Sequence, residues 1–138
     1  MRAEEILELL RDYIVEAKSV GERRIFATTD ASKYRQALRA LKDRGFVHLS
    51  TITGVDLGDR MEVIYHVDCG GIVLNLKLPL PRESPSLRTV TDIFPGAVLY
   101  ERDLMEMLGV RVEYHPDPRR LFLPDDWPAN KYPLRKEE

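Results

Sequence analysis

Apolar side chains recur at Ile6, Leu9, Leu10, Tyr13, Ile14 and Ala17. That is the spacing of one helix face, and it predicts a helix over residues 3–18 with Gly21 just beyond it. Arg24 to Thr29 read as a short β-prone run. Asp30 is placed to cap a second helix, whose inner face is Tyr34, Ala37, Leu38 and Leu41 and which stops at Gly45. The period then falls to two. Phe46 to Val55 is rich in β-branched residues and ends at the turn Asp56-Leu57-Gly58-Asp59. Met61, Val63, Tyr65 and Val67 alternate with Glu62, Ile64, His66 and Asp68, and Ile72, Leu74, Leu76 and Leu78 repeat the alternation after Gly70-Gly71. Short connections make these three strands an antiparallel meander with helices over its apolar face. The order α-β-α-β-β-β describes an α+β domain.

Pro79, Pro81 and Pro85 end the sheet. Ser84 or Ser86 is placed to cap a short helix carrying Leu87, Val90, Ile93 and Phe94, broken at Pro95-Gly96. A further helix from about Ala97 to Leu108 presents Tyr100, Leu104, Met107 and Leu108 on one face, with Gly109 at its C′ position. Arg111 to Tyr114 read as extended. From His115 the pattern changes again, because prolines at 116, 118, 124, 128 and 133 exclude a helix or a central strand. The same stretch nevertheless carries Leu121, Phe122, Leu123, Trp127, Tyr132 and Leu134, anchors that a disordered tail lacks. The expected division is an α+β domain over 1–114, then an extended partner-binding tail over 115–138.

Composition narrows the class. With 138 residues the chain fits one domain that buries about two-thirds of its unfolded surface. A net charge of −2 argues against a general nucleic-acid binder. The apolar runs fall far short of the roughly 20 residues that span a bilayer, and the acidic N-terminus does not resemble a secretory signal. The expectation is a protein inside the cell whose membrane association is made through partners. One glutamine and two asparagines among so many charges fit a thermophilic source.

No catalytic constellation emerges. A single cysteine, Cys69, excludes an intrachain disulfide and a thiolate-built iron–sulfur or zinc site, and it reads as a turn residue. His48 and His66 read as solvent-facing strand positions without a third metal ligand. His115 precedes Pro116-Asp117, where it is placed to bond a partner or Asp117. Glu101, Asp103 and Glu106 read first as structural carboxylates, with Arg102 and Glu106 spaced as an i, i+4 pair. Acid–base work by Glu101 or His115 in a small free-standing enzyme is the alternative. Arg119-Arg120 and Arg135-Lys136, interleaved with Trp127 and Tyr132, look like interface anchors.

From Val90 to Lys136 the residues resemble one family. Thr91-Asp92-Ile93-Phe94-Pro95, Tyr100-Glu101-Arg102-Asp103 and Leu108-Gly109-Val110 look like the core motif of the respiratory-chain NADH dehydrogenase 30 kDa subunit family, the C-type subunits of NADH-quinone oxidoreductase. His115-Pro116-Asp117, Arg119-Arg120, Leu123-Pro124-Asp125-Asp126-Trp127 and Pro133-Leu134-Arg135-Lys136 resemble its carboxy-terminal signature. The resemblance implies a subunit without its own cofactor, in the peripheral arm of a complex I-like assembly on the cytoplasmic face of the membrane. The implied partners are a large catalytic subunit, NiFe hydrogenase-like or quinone-site, and an iron–sulfur subunit. The energy-converting hydrogenase branch is favoured over a respiratory NADH enzyme. Tyr100, Glu101, Arg102, His115, Asp117, Arg119, Arg120, Trp127, Tyr132, Leu134 and Arg135 are the expected partner-binding residues.

Overall fold

The computed structural model describes residues 2–45, 47–118, 128 and 131–136. In chain order it places α1 at Ala3–Leu10, a 3-10 turn at Arg11–Tyr13, β1 at Glu16–Val20, β2 at Arg24–Thr28 and α2 at Tyr34–Arg44. There follow β3 at Val47–Asp56, β4 at Met61–Cys69, β5 at Val73–Leu80, β6 at Ser86–Arg88, α3 at Ala97–Leu108 and β7 at Arg111–Glu113. The predicted α+β class holds.

The meander is present. β3, β4 and β5 pair antiparallel, and β2 joins β5 in parallel, giving the sheet order β1-β2-β5-β4-β3. The registers explain the two-residue period. Ala27, Leu76, Tyr65 and Ile52 form one row across four strands, and Ile25, Leu74, Val67 and Leu49 form the next. All eight are buried, and they share one core with Ile6 and Leu10 of α1, Leu38 and Leu41 of α2, and Leu104 and Leu108 of α3. The alternate row Phe26, Asn75, His66 and Thr51 lies on the other face. There His66 bonds Asn75 Oδ1 at 2.7 Å and Thr53 Oγ1 at 2.9 Å.

Two expectations are corrected. The helix predicted over 3–18 ends at Leu10, and Glu16–Val20 is an edge strand paired with β2 across a turn at Gly21. Tyr13, Ile14 and Ala17 do continue the helical spacing. The hairpin wins because β1 pairs its whole length with β2 and Gly21 takes φ 67°, a conformation glycine adopts without strain. Likewise Leu87 does not begin a helix. It sits in β6, whose parallel pairing with β7 matches Leu87 to Val112, while Val90, Ile93 and Phe94 enter the core from the turn that follows.

Cys69 closes β4 beside the Gly70-Gly71 turn rather than within it. It is buried, which pushes its thiol up to about 11. No helix among the described residues is long and apolar enough to cross a membrane.

A candidate docking surface around the last helix

α3 owes its position to one gap in the sheet. A Cβ on Gly54 would lie 2.5 Å from Leu108 Cδ1 and 2.8 Å from Leu104 Cδ2, so the helix rests directly on the β3 backbone. Its end is capped as the sequence predicts. Gly109 takes φ 72°, and its N–H and that of Val110 return to the carbonyls of Met105 and Leu104.

The segment before α3 is held by α2. Tyr34 Oη donates to the Arg88 carbonyl and accepts from the Arg88 N–H, both at 2.7 Å. Arg35 grips Asp92 with two parallel bonds of 2.9 and 2.6 Å and also donates to the Thr89 carbonyl. The guanidinium holds the Asp92 carboxyl below its usual range. Thus the Thr91-to-Pro95 motif is explained by structure: Asp92 ties it to α2, while Ile93 and Phe94 fill the core.

That tie positions a pair of donors for Glu101. Its side chain is fully buried, with Oε1 accepting from Thr89 Oγ1 at 2.5 Å and Oε2 from the Val90 N–H at 2.8 Å. Since the Thr89 hydroxyl donates to Glu101, the Thr91 hydroxyl 2.9 Å away must donate to Thr89. Burial raises the Glu101 pKa, and the bonds from Thr89 and Val90 oppose that rise. The tail begins here. His115 Nε2 lies 3.0 Å from the Val98 carbonyl and 3.8 Å from Glu101 Oε1, and its Nδ1 accepts the Asp117 N–H at 3.0 Å. The ring therefore donates from Nε2. Asp117 in turn lies 3.7 Å from Arg102.

The far end of the tail returns to the other end of α3. Leu134 N–H donates to the Met107 carbonyl at 2.9 Å, satisfying a helix-terminal acceptor. The Tyr132 ring covers Gly109, where an added Cβ would meet it at 2.5 Å. Arg135 stacks 5.6 Å from that ring and donates to the Arg82 carbonyl at 2.8 Å.

The structure thus brings Glu101, Arg102, His115 and Asp117 together at one end of α3, and Tyr132, Leu134 and Arg135 at the other. Tyr100 is half-buried against the core. Arg119, Arg120 and Trp127 lie outside the described residues. Glu101 and the His115 ring face inward, so their part in any docking is to position α3 and the start of the tail. Sequence reasoning missed Asp56, Arg82, Arg35 and Thr89. Asp56, two residues before Gly58, carried only a turn signal, and the tertiary partners that give the four their roles lie 12 or more residues away in sequence. Asp56 is buried and accepts from the Gly58 N–H and from Arg82 Nε, at 2.9 and 2.8 Å.

Three apolar side chains stand out from this region: Leu99 is 51% exposed, Leu134 58% and Tyr114 77%. Tyr114 also holds φ 63°, a left-handed conformation that costs a non-glycine residue about 1 kcal/mol or more, and it stacks on Arg88. A cleft of about 680 Å³ lies elsewhere, between the start of α1 and the Gly21 and Gly70-Gly71 turns. It is lined by Arg2, Glu4, Glu22 and Arg23, with neither histidine nor cysteine.

Comparison with known proteins gives the family. Residues 27–138 match the family described as respiratory-chain NADH dehydrogenase, 30 Kd subunit. The chain is 32% identical to the membrane-bound hydrogenase subunit beta of Pyrococcus furiosus, over 92% of this chain and 77% of that protein. It is 36% identical to the C-type subunit of the F(420)H(2) dehydrogenase of Methanosarcina mazei, over 99% of this chain and 92% of the relative. Among solved structures, a chain of the membrane-bound sulfane sulfur reductase, an archaeal respiratory membrane complex, superposes with a TM-score of 0.83 at 31% identity, covering 96% of this chain and 82% of that one. A trypsin-resistant fragment of Nqo5 superposes at 0.72 and 27% identity, over 85% of this chain and 99% of the fragment. The chain belongs to the respiratory-chain NADH dehydrogenase 30 kDa subunit family, whose members include subunits of hydrogenase-type and NADH-quinone-type complexes.

Proposed function

We propose that this chain is a non-catalytic assembly subunit in the peripheral arm of a complex I-like, membrane-bound oxidoreductase of the energy-converting hydrogenase type. It docks on the large catalytic subunit through α3 and the tail, beside an iron–sulfur subunit, and reaches the cytoplasmic face of the membrane only through those partners. The observation that carries this reading is the set of exposed apolar side chains at both ends of α3, Leu99 and Tyr114 at one and Leu134 at the other, while the buried Glu101 of that helix is turned inward. Exposed apolar surface beside a strained aromatic is the character of a contact made with another protein. Arg119, Arg120 and Trp127 supply further anchors in this reading, as charge-assisted and aromatic contacts. Glu101, with both oxygens satisfied inside the fold, makes a poor acid or base for a free-standing enzyme.

Tagged chain recovered from native membranes should carry a large catalytic subunit and an iron–sulfur subunit in fixed ratio, identified by mass spectrometry. Nickel in that preparation separates the hydrogenase type from an NADH-quinone oxidoreductase. Recovery of the chain alone, or only as a homo-oligomer, would overturn the assignment.

A further inference from the structure

We propose that Asp56 and Arg82 form a binding site for an extended peptide backbone, and that the ligand is this chain's own C-terminal segment at Lys136. The Asp56 side chain is 1% exposed and that of Arg82 14% exposed. Asp56 Oδ2 accepts the Lys136 N–H at 2.8 Å, and Arg82 Nη2 donates to the Lys136 carbonyl at 2.7 Å. The pair is itself locked, by bonds of 2.8 Å from Arg82 Nε to Oδ1 and 3.0 Å from Nη2 to Oδ2. A carboxylate and a guanidinium side by side thus take both backbone groups of one residue, as a neighbouring strand would.

Lys136 itself is exposed, and both bonds fall on its backbone atoms. The site therefore reads main chain. It accepts any residue that has an N–H, and it excludes proline. The Arg135 bond to the Arg82 carbonyl and the Leu134 bond to Met107 extend the grip over three successive residues.

Two stretches of the tail are thereby anchored on the body, His115 and Asp117 at one end of α3 and Lys136 beside β3. Anchoring them removes part of the ordering entropy that free segments lose on docking. The latch stands on these contacts whether or not the tail binds the proposed partner.

Amide hydrogen exchange of the full-length chain tests it. Lys136→Pro deletes the N–H that Asp56 accepts, Lys136→Ala keeps it, and Asp56→Asn weakens the receptor from the body side. Lys136→Pro and Asp56→Asn should each speed exchange of the Leu134 amide tenfold or more. Lys136→Ala should stay within twofold of wild type, and the double variant Asp56→Asn/Lys136→Pro should exchange no faster than the faster single variant, as expected for two changes to one contact. Equal effects of Lys136→Pro and Lys136→Ala would overturn the backbone reading. Unchanged exchange in Lys136→Pro, at a surface position that leaves the core intact, would overturn the latch.

The same pair sets an acid limit. The Arg82 guanidinium holds the Asp56 carboxyl far below the usual carboxylate range. A depressed folded-state pKa contributes stability that is complete above the unfolded value, about 4, and is lost as pH falls through the folded one. In a pH series of thermal melts, wild type should lose stability below about pH 4. Asp56→Asn should flatten that slope, and an equally steep slope in the variant would assign it to other carboxylates.

Discussion

Glu101→Ala is expected to lower folding stability by about 3 kcal/mol, a large part of the 5–15 kcal/mol that holds a domain together. The substitution leaves the Thr89 hydroxyl and the Val90 N–H facing a cavity in place of the buried carboxylate. Each orphaned buried donor costs about 1–3 kcal/mol, and the lost packing adds about 1. Relief of carboxylate desolvation offsets part of this, since burial is the largest cause of the raised Glu101 pKa. Glu101→Gln separates the terms. Its carbonyl accepts from Val90, its amide donates to Thr89, and the hydroxyls of Thr89 and Thr91 rotate to suit.

The glutamine variant should therefore sit within about 1 kcal/mol of wild type. It should also shift the pH dependence in a known direction. A carboxylate with a raised folded-state pKa favours folding while protonated, so its share of stability falls as pH rises past the unfolded value near 4.3. Glutamine does not titrate and should remove that loss. Denaturant melts of the three proteins at two pH values check both statements. A cost for Glu101→Ala below about 1 kcal/mol would mean that Thr89 and Val90 find other partners.

Gly54→Val is expected to cost about 3 kcal/mol. In an ordinary strand the change would help, because glycine in a strand interior is worth about 0.5–1 kcal/mol less than alanine. Here the first added carbon would lie 2.5 Å from Leu108 and 2.8 Å from Leu104, side chains that are 2% and 1% exposed and have little room to retreat. Crowding outweighs the gain in strand propensity. The helix should lift from β3, carrying Glu101 away from Val90 and Met107 away from Leu134. Gly54→Ala should show the same sign at a smaller magnitude. Stabilisation by either substitution would show that α3 is not seated on the β3 backbone.

Much of this frame was legible in the chain. α3 was readable because a 3.6-residue period ends on a glycine, and that glycine takes the left-handed cap. The β3–β5 meander was readable because one face is buried and alternation follows directly. Failures came where two periods fit the same residues. Ile14 and Ala17 fit a helix, yet Val15 N–H pairs with the Thr28 carbonyl and opens the β1–β2 hairpin. Leu87 and Val90 are three apart, yet Leu87 pairs with Val112 from beyond α3.

The motifs of the candidate site were legible, and their geometry was not. Tyr100-Glu101-Arg102 and His115-Pro116-Asp117 stood out as motifs, but nothing local shows that Glu101 turns inward. The donors that hold it come from Thr89 and Val90, a segment held in turn by Arg35, 54 residues before Thr89. Lys136 read only as half of a basic pair, because a short basic run carries no sign that Asp56, 80 residues earlier, holds its amide.

Whether α3 and the tail form one docking surface for a larger catalytic subunit is decided by the affinity of that purified partner for the full chain and for a chain ending at Asp117. The cut keeps the His115 ring, 1% exposed, in its place against Val98. Loss of several charge-assisted and aromatic anchors at about 1.5–3 kcal/mol each should weaken binding 100-fold or more, while the shortened chain still melts cooperatively. An affinity within threefold of the full chain's would mean that the tail is no part of the interface.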